Sequence, residues 1–470
     1  MKNIKTISLK GIRTTAKLVA VLSTCILALF SCDDFVDVDT PTSQLSSPIV
    51  FENYTTASAA IVAVYAQIRG NGLLTGNPNG MSAKLGEYTD ELVFYGAGGQ
   101  TDASFYNNTV LPRNSDVQNW WNSSFNQIYA TNAVLEGLAN STTLTEAQRN
   151  RLSGEAIFVR AMLHFHLTNI FGAIPFVETT DYRVNSTIPK IPVADIYARV
   201  EADLLLAESL LDEDYITSDR VRPNKATVQA LLARVFLYEG KWAEAENKAS
   251  AVLNNTTLYP WESNIDAVFL KQSTNTIWHL MPATDGENAY EAGTHIFLQG
   301  PPPVSALSTE FVNSFEPGDN RRTHWIKEVT DGTNTWYHAY KYKEFGNTGS
   351  SVEYSIVFRT AEQYLIRAEA RAQQGELIGA KEDLNKIRET AGLGDTMALT
   401  TAEILEVIAR ERRAELFTEG HRFFDLKRTN MLDNALSVIK TGWNDTDDLL
   451  PLPETELLLN PNLNPQNPGY

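Results

Sequence analysis

Cysteine and long hydrophobic runs are both scarce in this sequence. Its 470 residues include two cysteines, Cys25 and Cys32, and both lie near the N-terminus. The chain beyond residue 32 therefore has no disulfide framework, no cysteine-ligated zinc and no thiol nucleophile. No stretch after residue 32 approaches the roughly 18 consecutive apolar residues that would predict a transmembrane helix.

Basic residues are also under-represented. Lysine and arginine total 39 against 57 aspartates and glutamates, which gives a formal charge of -18. Residues 1–31 contain five of the basic residues and no acidic one, so the rest of the chain has 34 basic and 57 acidic residues and a charge of -23. A body this acidic is repelled by nucleic acid and by anionic lipid headgroups. Strongly sulfated ligands are disfavoured as well, unless a local basic patch offsets the global charge.

Signatures of catalysis and of cofactor binding are missing. The sequence has no phosphate-binding loop, no GxSxG nucleophile elbow and no HExxH zinc motif. His164 and His166 share a predicted helix but are two residues apart, so they face different directions and are predicted to be packed residues rather than ligands of one metal ion. We therefore predict no catalytic residue, no metal site and no cofactor.

Carboxylates are abundant, and counting them leaves a glycosidase pair open. No spacing singles out such a pair. Glu411 and Glu415 lie four residues apart among Arg410, Arg412 and Arg413. This spacing predicts a ladder of ion pairs along one helix.

The N-terminal segment has the pattern of a secretory signal. Its basic residues end at Lys17, and an apolar stretch covers residues 18–30. The letters LFSC that end at Cys32 resemble a bacterial lipobox, so we predict that residues 1–31 are removed and that Cys32 is lipidated. Several acyl chains on one cysteine anchor a protein stably without a membrane span. The alternative is a simple secretory peptide with an incidental cysteine. Residues 32–45 are predicted to be a lipidated acidic tether.

The remainder, residues 46–470, is predicted to be a single, mainly α-helical domain. Apolar residues recur at three- and four-residue intervals in four segments. This period is typical of amphipathic helices, and it predicts helices at 54–69, 120–138, 144–171 and 194–211.

A pattern centred on two glycines repeats within the helical part. Small residues before and after the glycine let two helices approach closely, and the glycine itself permits a tight turn. An apolar residue two positions after the glycine fills the turn. The pattern predicts tetratricopeptide-like helical hairpins that pack into one scaffold. Its positions are Ala233, Gly240, Trp242, Ala245 and Ala249 in one copy, and Ala368, Gly375, Leu377, Ala380 and Leu384 in the other.

Two insertions interrupt the helical pattern and are predicted to form an irregular, loop-rich subdomain. Residues 70–118 are rich in glycine and asparagine, and residues 255–357 mix glycine and proline breaks with short strand-like runs at 276–281 and 336–342. The tail from residue 449 is rich in proline and asparagine and is predicted to be ordered coil.

Five segments taken together resemble one family, the SusD/RagB nutrient-uptake lipoproteins. The resemblance extends over essentially the whole chain after the signal peptide, and its fourth and fifth segments are specific. The segments are GEAIFVRA to FGAIP at 154–175, RPNKA to GKW at 222–242, RTAEQYLIRAEA at 359–370, ERRAEL with EGHRFFDLKR at 411–428, and NPNL with QNPGY at 460–470.

The resemblance implies a lipoprotein on the outer-membrane surface that binds a glycan and is not an enzyme. It also implies a SusC-like TonB-dependent outer-membrane barrel as partner, to which captured oligosaccharides are delivered. The family fold is a tetratricopeptide-like scaffold with an irregular subdomain. The matching segments are scaffold motifs, so they do not identify the sugar or its contact residues.

Candidate glycan-binding residues follow from the chemistry of a neutral sugar. Aromatic rings present flat apolar area to the C–H faces of sugars, and neighbouring amides and charged groups bind the hydroxyls. Aromatic residues in the polar loops are therefore candidates, although each could instead pack inward. The candidates are Tyr95, Tyr106, Tyr290, Trp336 and Tyr337.

Two other functions stay open at this point. A surface glycoside hydrolase on a helical scaffold predicts the release of reducing sugar. A pure interaction scaffold, or an importer component for peptides or glycopeptides, follows from the ability of helical hairpins to bind peptides.

Overall fold

The computed structural model describes residues 48–470, which form one compact unit. The predicted signal peptide, the lipidation site Cys32 and the tether at 32–45 lie outside the described residues. No helix of the described part is long and apolar enough to cross a membrane.

The described chain is dominated by helices, as the sequence predicted. The first nine are α1 (Tyr54–Gly70), α2 (Met81–Tyr88), α3 (Thr101–Tyr106), α4 (Ser115–Asn140), α5 (Glu146–Phe171), α6 (Tyr182–Asn185), α7 (Val193–Leu210), α8 (Lys225–Glu239) and α9 (Trp242–Leu253). The rest are α10 (Tyr290–His295), α11 (Thr309–Asn313), α12 (Asn320–His324), α13 (Thr360–Gln373), α14 (Leu377–Thr390), α15 (Thr401–Leu416), α16 (Arg422–Arg428), α17 (Leu432–Leu436) and α18 (Glu454–Leu459). The four predicted helices correspond to α1, α4, α5 and α7.

Local capping chemistry sets several helix boundaries. Thr145 and Gln148 form a capping box at the start of α5, where the side chain of each accepts a hydrogen bond from the other's backbone N–H. Asn224 and Thr227 do the same for α8. Helix α5 ends at Gly172, which has a φ of 74°.

The predicted hairpins are confirmed. Helices α8 and α9 meet at Gly240, and α13 and α14 meet at Gly375; both glycines have positive φ, 71° and 82°. Six small or apolar positions of the repeat are fully buried, Trp242 and Leu377 at the turns are half-buried, and α9 packs on α13. The six buried positions are Ala233, Ala245, Ala249, Ala368, Ala380 and Leu384.

The largest helical layer surrounds α5. This helix packs between α4 and α7, and nineteen of its residues are buried. His164 and His166 are among them, and each ring Nδ1 lies within hydrogen-bond distance of the carbonyl four residues earlier, at 2.9 and 2.8 Å. Burial lowers the pKa of both imidazoles to about 3. They are packed neutral residues, as predicted.

Two small sheets lie within the insertions. A four-stranded sheet has the order β1 (Leu92–Phe94), β3 (Ser305–Leu307), β5 (Thr335–Ala339), β4 (Ile326–Thr330), and a two-stranded sheet pairs β2 (Thr276–Leu280) with β6 (Ser355–Arg359). All pairings are antiparallel. The strand-like runs predicted near 276–281 and 336–342 correspond to β2 and β5.

Directly opposed residues in antiparallel strands lie on the same face. Leu92 pairs with Leu307, which pairs with Tyr337, and these three face the main core of the subdomain. The opposite or outer face contains Ala306 and Trp336 with Phe297 packed against them. Short helices α2 and α3 lie within 70–118 and α18 lies in the tail, between stretches of the predicted loop and coil.

Buried ion pairs connect the scaffold to the subdomain. Arg321 contacts Asp319 and Glu411 at 2.7 Å each, and Arg359 contacts Glu415 at 2.6 Å. Glu411 and Glu415 thus pair with arginines from distant segments, and Glu411 also pairs with Arg388 of α14. The predicted ladder along α15 is wrong, because these carboxylates point into the core.

Candidate functional site

The outer side of the four-stranded sheet places Tyr95 at the surface. Tyr95 directly follows β1 and is 42% exposed. Its backbone N–H and that of Gly96 both donate to the Val304 carbonyl, at 2.7 and 3.1 Å. Gly96 has no room for a side chain, since a Cβ there would lie 2.7 Å from the ring of Phe94. The tyrosine therefore projects from a fixed backbone.

Tyr106 is the last residue of α3 and is half-buried. Burial, and the neighbouring Tyr106 phenol, raise the pKa of Tyr95. The Lys440 ammonium lies 3.9 Å from the centre of the Tyr106 ring and donates to the Tyr106 carbonyl at 3.0 Å. It also donates to the Glu87 carbonyl at 2.6 Å. Tyr95 and Tyr106 are called the tyrosine pair below.

A buried polar layer supports the tyrosine pair. Lys84 is 1% exposed, and its ammonium contacts Asp102 at 2.6 Å and Asp116 at 3.1 Å. The Ser305 hydroxyl donates to the carboxylate of Glu87. Burial, together with Asp102, raises the pKa of Glu87 to about 7. Burial also lowers the pKa of Lys440 to about 7. These contacts fix α2 and α3, and hence the base of the pair.

Of the three remaining candidates, Trp336 is buried, whereas Tyr290 and Tyr337 are half-buried like Tyr106. Trp336 is 8% exposed and packs against Phe297 and Ala306, and a Cβ at Gly300 would overlap its ring. Trp336 thus packs inward, the alternative left open by its sequence, because the sheet's outer face is covered at this point. Tyr337 is half-buried on the core side, with the Arg322 guanidinium 5.0 Å from its ring centre. Tyr290 begins α10 and is also half-buried.

Two further aromatic residues of the same insertion, Tyr340 and Phe345, are not among the predicted candidates. Phe345 is 57% exposed in the loop between β5 and β6. Tyr340 is half-buried between two lysines, with Lys327 at 5.1 Å and Lys343 at 5.6 Å from its ring centre. The glycine and asparagine that follow Phe345 are the loop signal that singled out Tyr95 and Tyr106, and they would have identified Phe345 as well.

A separate cavity lies in the helical scaffold. It has a volume of about 800 Å³ and is bounded by the α8–α9 turn, α13, α15, α16 and α17. None of the five candidate aromatic residues lines it. Its walls combine aliphatic residues with arginines and carboxylates, and it is called the scaffold cleft below. Within residues 48–470, no group of histidine, cysteine, aspartate and glutamate side chains is arranged to hold a metal ion.

Two family models match the chain, and together they cover nearly all of it. The model described as "Starch-binding associating with outer membrane" matches residues 34–237, and that of the "SusD family" matches residues 231–470. SusD-like protein P2 of Formosa agariphila is 28% identical over 428 residues, covering 77% of this chain and 83% of that protein. SusD-like protein P25 of the same species is 23% identical over 95% of this chain and 98% of that protein.

Solved structures share the fold. A SusD superfamily protein from Bacteroides vulgatus superposes with a TM-score of 0.76 at 22% identity, over 89% of this chain and 100% of that chain. A structure described as a laminarin binding SusD-like protein gives a TM-score of 0.74 at 24% identity, over 88% of this chain and 99% of that chain. At these identities the likeness establishes the architecture.

Proposed function

The chain belongs to the SusD family, and from this membership we propose that it is a cell-surface lipoprotein that binds oligosaccharides and delivers them to a SusC-like TonB-dependent outer-membrane barrel. The family description of starch binding and outer-membrane association supports this proposal. So does the laminarin binding ascribed to a protein of the same fold. The chain's role is capture, without chemistry on the sugar.

The observation that carries the proposal is the tyrosine pair. Tyr95 is exposed on a backbone that Val304 holds in place, and the phenol of Tyr106, whose ring contacts Lys440, is near enough to raise the pKa of Tyr95. Rings held in this way lose little conformational entropy when a sugar stacks on them. The exposed amides of Gln100 and Asn107 flank the pair in sequence and are suited to bind hydroxyls.

The charge of the chain narrows the ligand class. The body of the protein carries 34 basic and 57 acidic residues, so a polyanionic glycan would be repelled on approach. We therefore propose a neutral glycan, such as a glucan, rather than a heavily sulfated one. Binding by stacking and hydrogen bonds to hydroxyls should also depend little on salt.

The lipid anchor proposed at Cys32 explains how capture is coupled to the barrel. A tether of roughly a dozen residues reaches up to ~40 Å when extended, at ~3.3 Å per residue. Two proteins confined to the same membrane meet at an effective concentration on the order of mM. Docking contacts that are modest in solution are then sufficient at the cell surface, and such contacts can open and close repeatedly.

A glycan panel tests the proposed function. The mature protein, shown to be folded by circular dichroism, is run in affinity gels that contain laminarin, starch, xylan, mannan or galactan. We expect retardation by at least one neutral glycan and no oligosaccharide release when the same glycans are analysed by chromatography after incubation. Absence of retardation by every glycan, or release of sugar by the pure protein, would contradict the proposal.

A further inference from the structure

Lys440 is a buried cation against the tyrosine pair. It is 7% exposed and follows α17, where its backbone N–H donates to the Leu436 carbonyl at 2.8 Å. Two residues later the chain passes directly over the end of α3, since a Cβ at Gly442 would lie 1.9 Å from the Asn107 carbonyl oxygen. The backbone on both sides of Lys440 is therefore held in place, and its side chain is aimed at the pair.

The Lys440 ammonium makes three contacts, which match its three N–H bonds. It donates to the carbonyls of Glu87 and Tyr106, at 2.6 and 3.0 Å. Its Nζ also lies 3.9 Å from the centre of the Tyr106 ring, within the range of a cation–π attraction. Glu87 and Tyr106 lie at the C-terminal ends of α2 and α3. One side chain thus joins the two helices and holds the ring of Tyr106.

The acidic groups that face Lys440 have other partners. Asp90, just after α2, pairs with two arginines at 2.7 and 2.8 Å. The carboxyl group of Glu87 accepts a hydrogen bond from the Ser305 hydroxyl, and its second oxygen is buried without a partner among the described residues. The Lys440 ammonium is therefore held by two backbone dipoles and an aromatic ring.

These contacts suit only the charged form of Lys440. A neutral amine has two N–H bonds and a lone pair, which would face a carbonyl oxygen or the electron-rich ring. Burial opposes the charge and lowers the pKa of Lys440 to about 7, although Asp90 and Glu87 favour the ammonium. Glu87 titrates in the same range, because burial and Asp102 of α3 raise its pKa to about 7, while Lys84 and Lys440 partly offset that rise.

We propose that Lys440 positions the Tyr106 ring for the sugar, and that it does so as an ammonium and not as a neutral amine. Glycan binding at the tyrosine pair then weakens as the pH rises above neutrality. This role rests on the proposed function, because it concerns the same pair. Coupling between two binding events is reciprocal, so a bound glycan must also favour the ammonium, and the protein takes up protons when it binds above pH 7.

Calorimetric titration at pH 6.0 and pH 8.5 tests the role of the charge. The glycan selected in affinity gels is added to proteins that circular dichroism shows to be folded at both pH values. We expect wild-type affinity to fall at least about threefold from pH 6.0 to pH 8.5. Lys440→Arg stays charged and should change less than about twofold over this range. Lys440→Met lacks the cation and should bind weakly at both pH values.

Two further variants are controls. Glu87→Gln removes the other group that titrates near pH 7, and its affinity should fall with pH as in wild type. Lys327→Met removes an exposed lysine whose Nζ lies 5.1 Å from the ring centre of Tyr340, outside the tyrosine pair. It should match wild type at both pH values.

Proton uptake tests the same point on the unmodified protein. The binding enthalpy is measured at pH 7.5 in phosphate and in Tris, whose ionisation enthalpies differ, so the difference reports the protons exchanged. We expect wild type to take up a fraction of a proton on binding and Lys440→Met to take up none. A lysine that only stabilised the fold would not give this signal.

Three results would overturn the proposal. One is equal wild-type affinity at the two pH values with no proton uptake. Another is a pH dependence that persists in Lys440→Met or disappears in Glu87→Gln, which would assign it to a different group. The third is a wild-type protein that binds no glycan at either pH, which contradicts the proposed function itself and the role of Lys440 with it.

Discussion

At the scale of single residues, the core of this protein contains an unusual amount of charge. Arg359 and Lys341 both contact Glu419, at 2.7 and 2.6 Å. Burial alone would raise the pKa of the Glu419 carboxyl, but these two cations lower it to about 2. The pair geometry compensates the desolvation of each ion. These ion pairs hold the subdomain on the scaffold. Glu419 is the first residue of the EGHRFFDLKR segment, which follows α15.

Glu91 is a buried carboxyl without such compensation. It is 2% exposed and accepts one hydrogen bond, from the Thr418 N–H at 3.2 Å. Burial, and then the nearby Asp90, raise its pKa to about 7. A carboxyl whose pKa is raised on folding makes its full contribution to stability at pH values below its unfolded pKa of about 4.5. That contribution is lost as the pH rises through 7.

We expect the Glu91→Gln variant to become more stable relative to wild type as the pH rises. Its free energy of unfolding, relative to wild type, should rise by roughly 2 to 3 kcal/mol between pH 4.5 and pH 8, because one unit of pKa difference is worth about 1.4 kcal/mol. Urea denaturation at both pH values measures this. The exposed Glu406→Gln is the matched control and should show no such change. A constant difference between Glu91→Gln and wild type across this range would disprove the assignment.

At the scale of elements, the two hairpin turns depend on backbone that only glycine adopts without strain. Gly240 has a φ of 71°, and the ring of Trp242 lies 3.5 Å from the position of an added Cβ. Space is therefore available, and the cost of a side chain there is conformational. A non-glycine residue in the left-handed region costs on the order of 1 to 3 kcal/mol.

Gly240→Ala should therefore lower the free energy of unfolding by about 1 to 2 kcal/mol. Gly394→Ala is the control, since Gly394 has open space around it and its φ is not positive. That substitution should change stability by less than about 0.5 kcal/mol. Equal effects of the two substitutions in urea denaturation would show that the left-handed turn is not what the glycine provides.

The helices and hairpins could be predicted because their signals are local. Helix periodicity, capping residues such as Thr145 and the small residues around Gly240 all lie within one or two turns of the structure that they specify. The four-stranded sheet could not be predicted, because β1 pairs with a strand more than 200 residues away. Packing against Phe297 and Ala306 buries Trp336, whereas Tyr95 follows β1 and is exposed, although the two aromatic residues look alike in sequence.

The partners in the buried ion pairs also could not be predicted, because they are distant in sequence. The spacing of Glu411 and Glu415 allowed partners on the same helix, but their arginines come from α12, α14 and the end of β6. The scaffold cleft escaped prediction for a related reason, since its walls come from four separate helices and the α8–α9 turn. Trp242, assigned from sequence to the hairpin turn, does lie at that turn, and it also lines the cleft.

At the scale of the whole molecule, anchoring and binding are separable. The proposed lipid site, Cys32, lies outside the described residues, and the tyrosine pair lies in the folded body. We expect Cys32→Ala to leave glycan affinity unchanged in vitro and to impair uptake in cells that lack the wild-type copy, because the effective concentration at the barrel is lost. Growth on the bound glycan measures uptake. Wild-type uptake by a variant that remains on the cell surface would show that the lipid is dispensable.

The central claim is that the tyrosine pair binds a neutral glycan, and calorimetric titration tests it most directly. The glycan that retards the protein most in affinity gels is titrated into wild type, Tyr95→Ala, Tyr106→Ala and the control Tyr182→Ala, whose ring is 76% exposed on α6. Loss of a stacking ring should weaken binding at least tenfold for Tyr95→Ala and by a similar factor for Tyr106→Ala. Tyr182→Ala should bind like wild type. If all three variants bind with wild-type affinity, the glycan site lies elsewhere and this account of it is wrong.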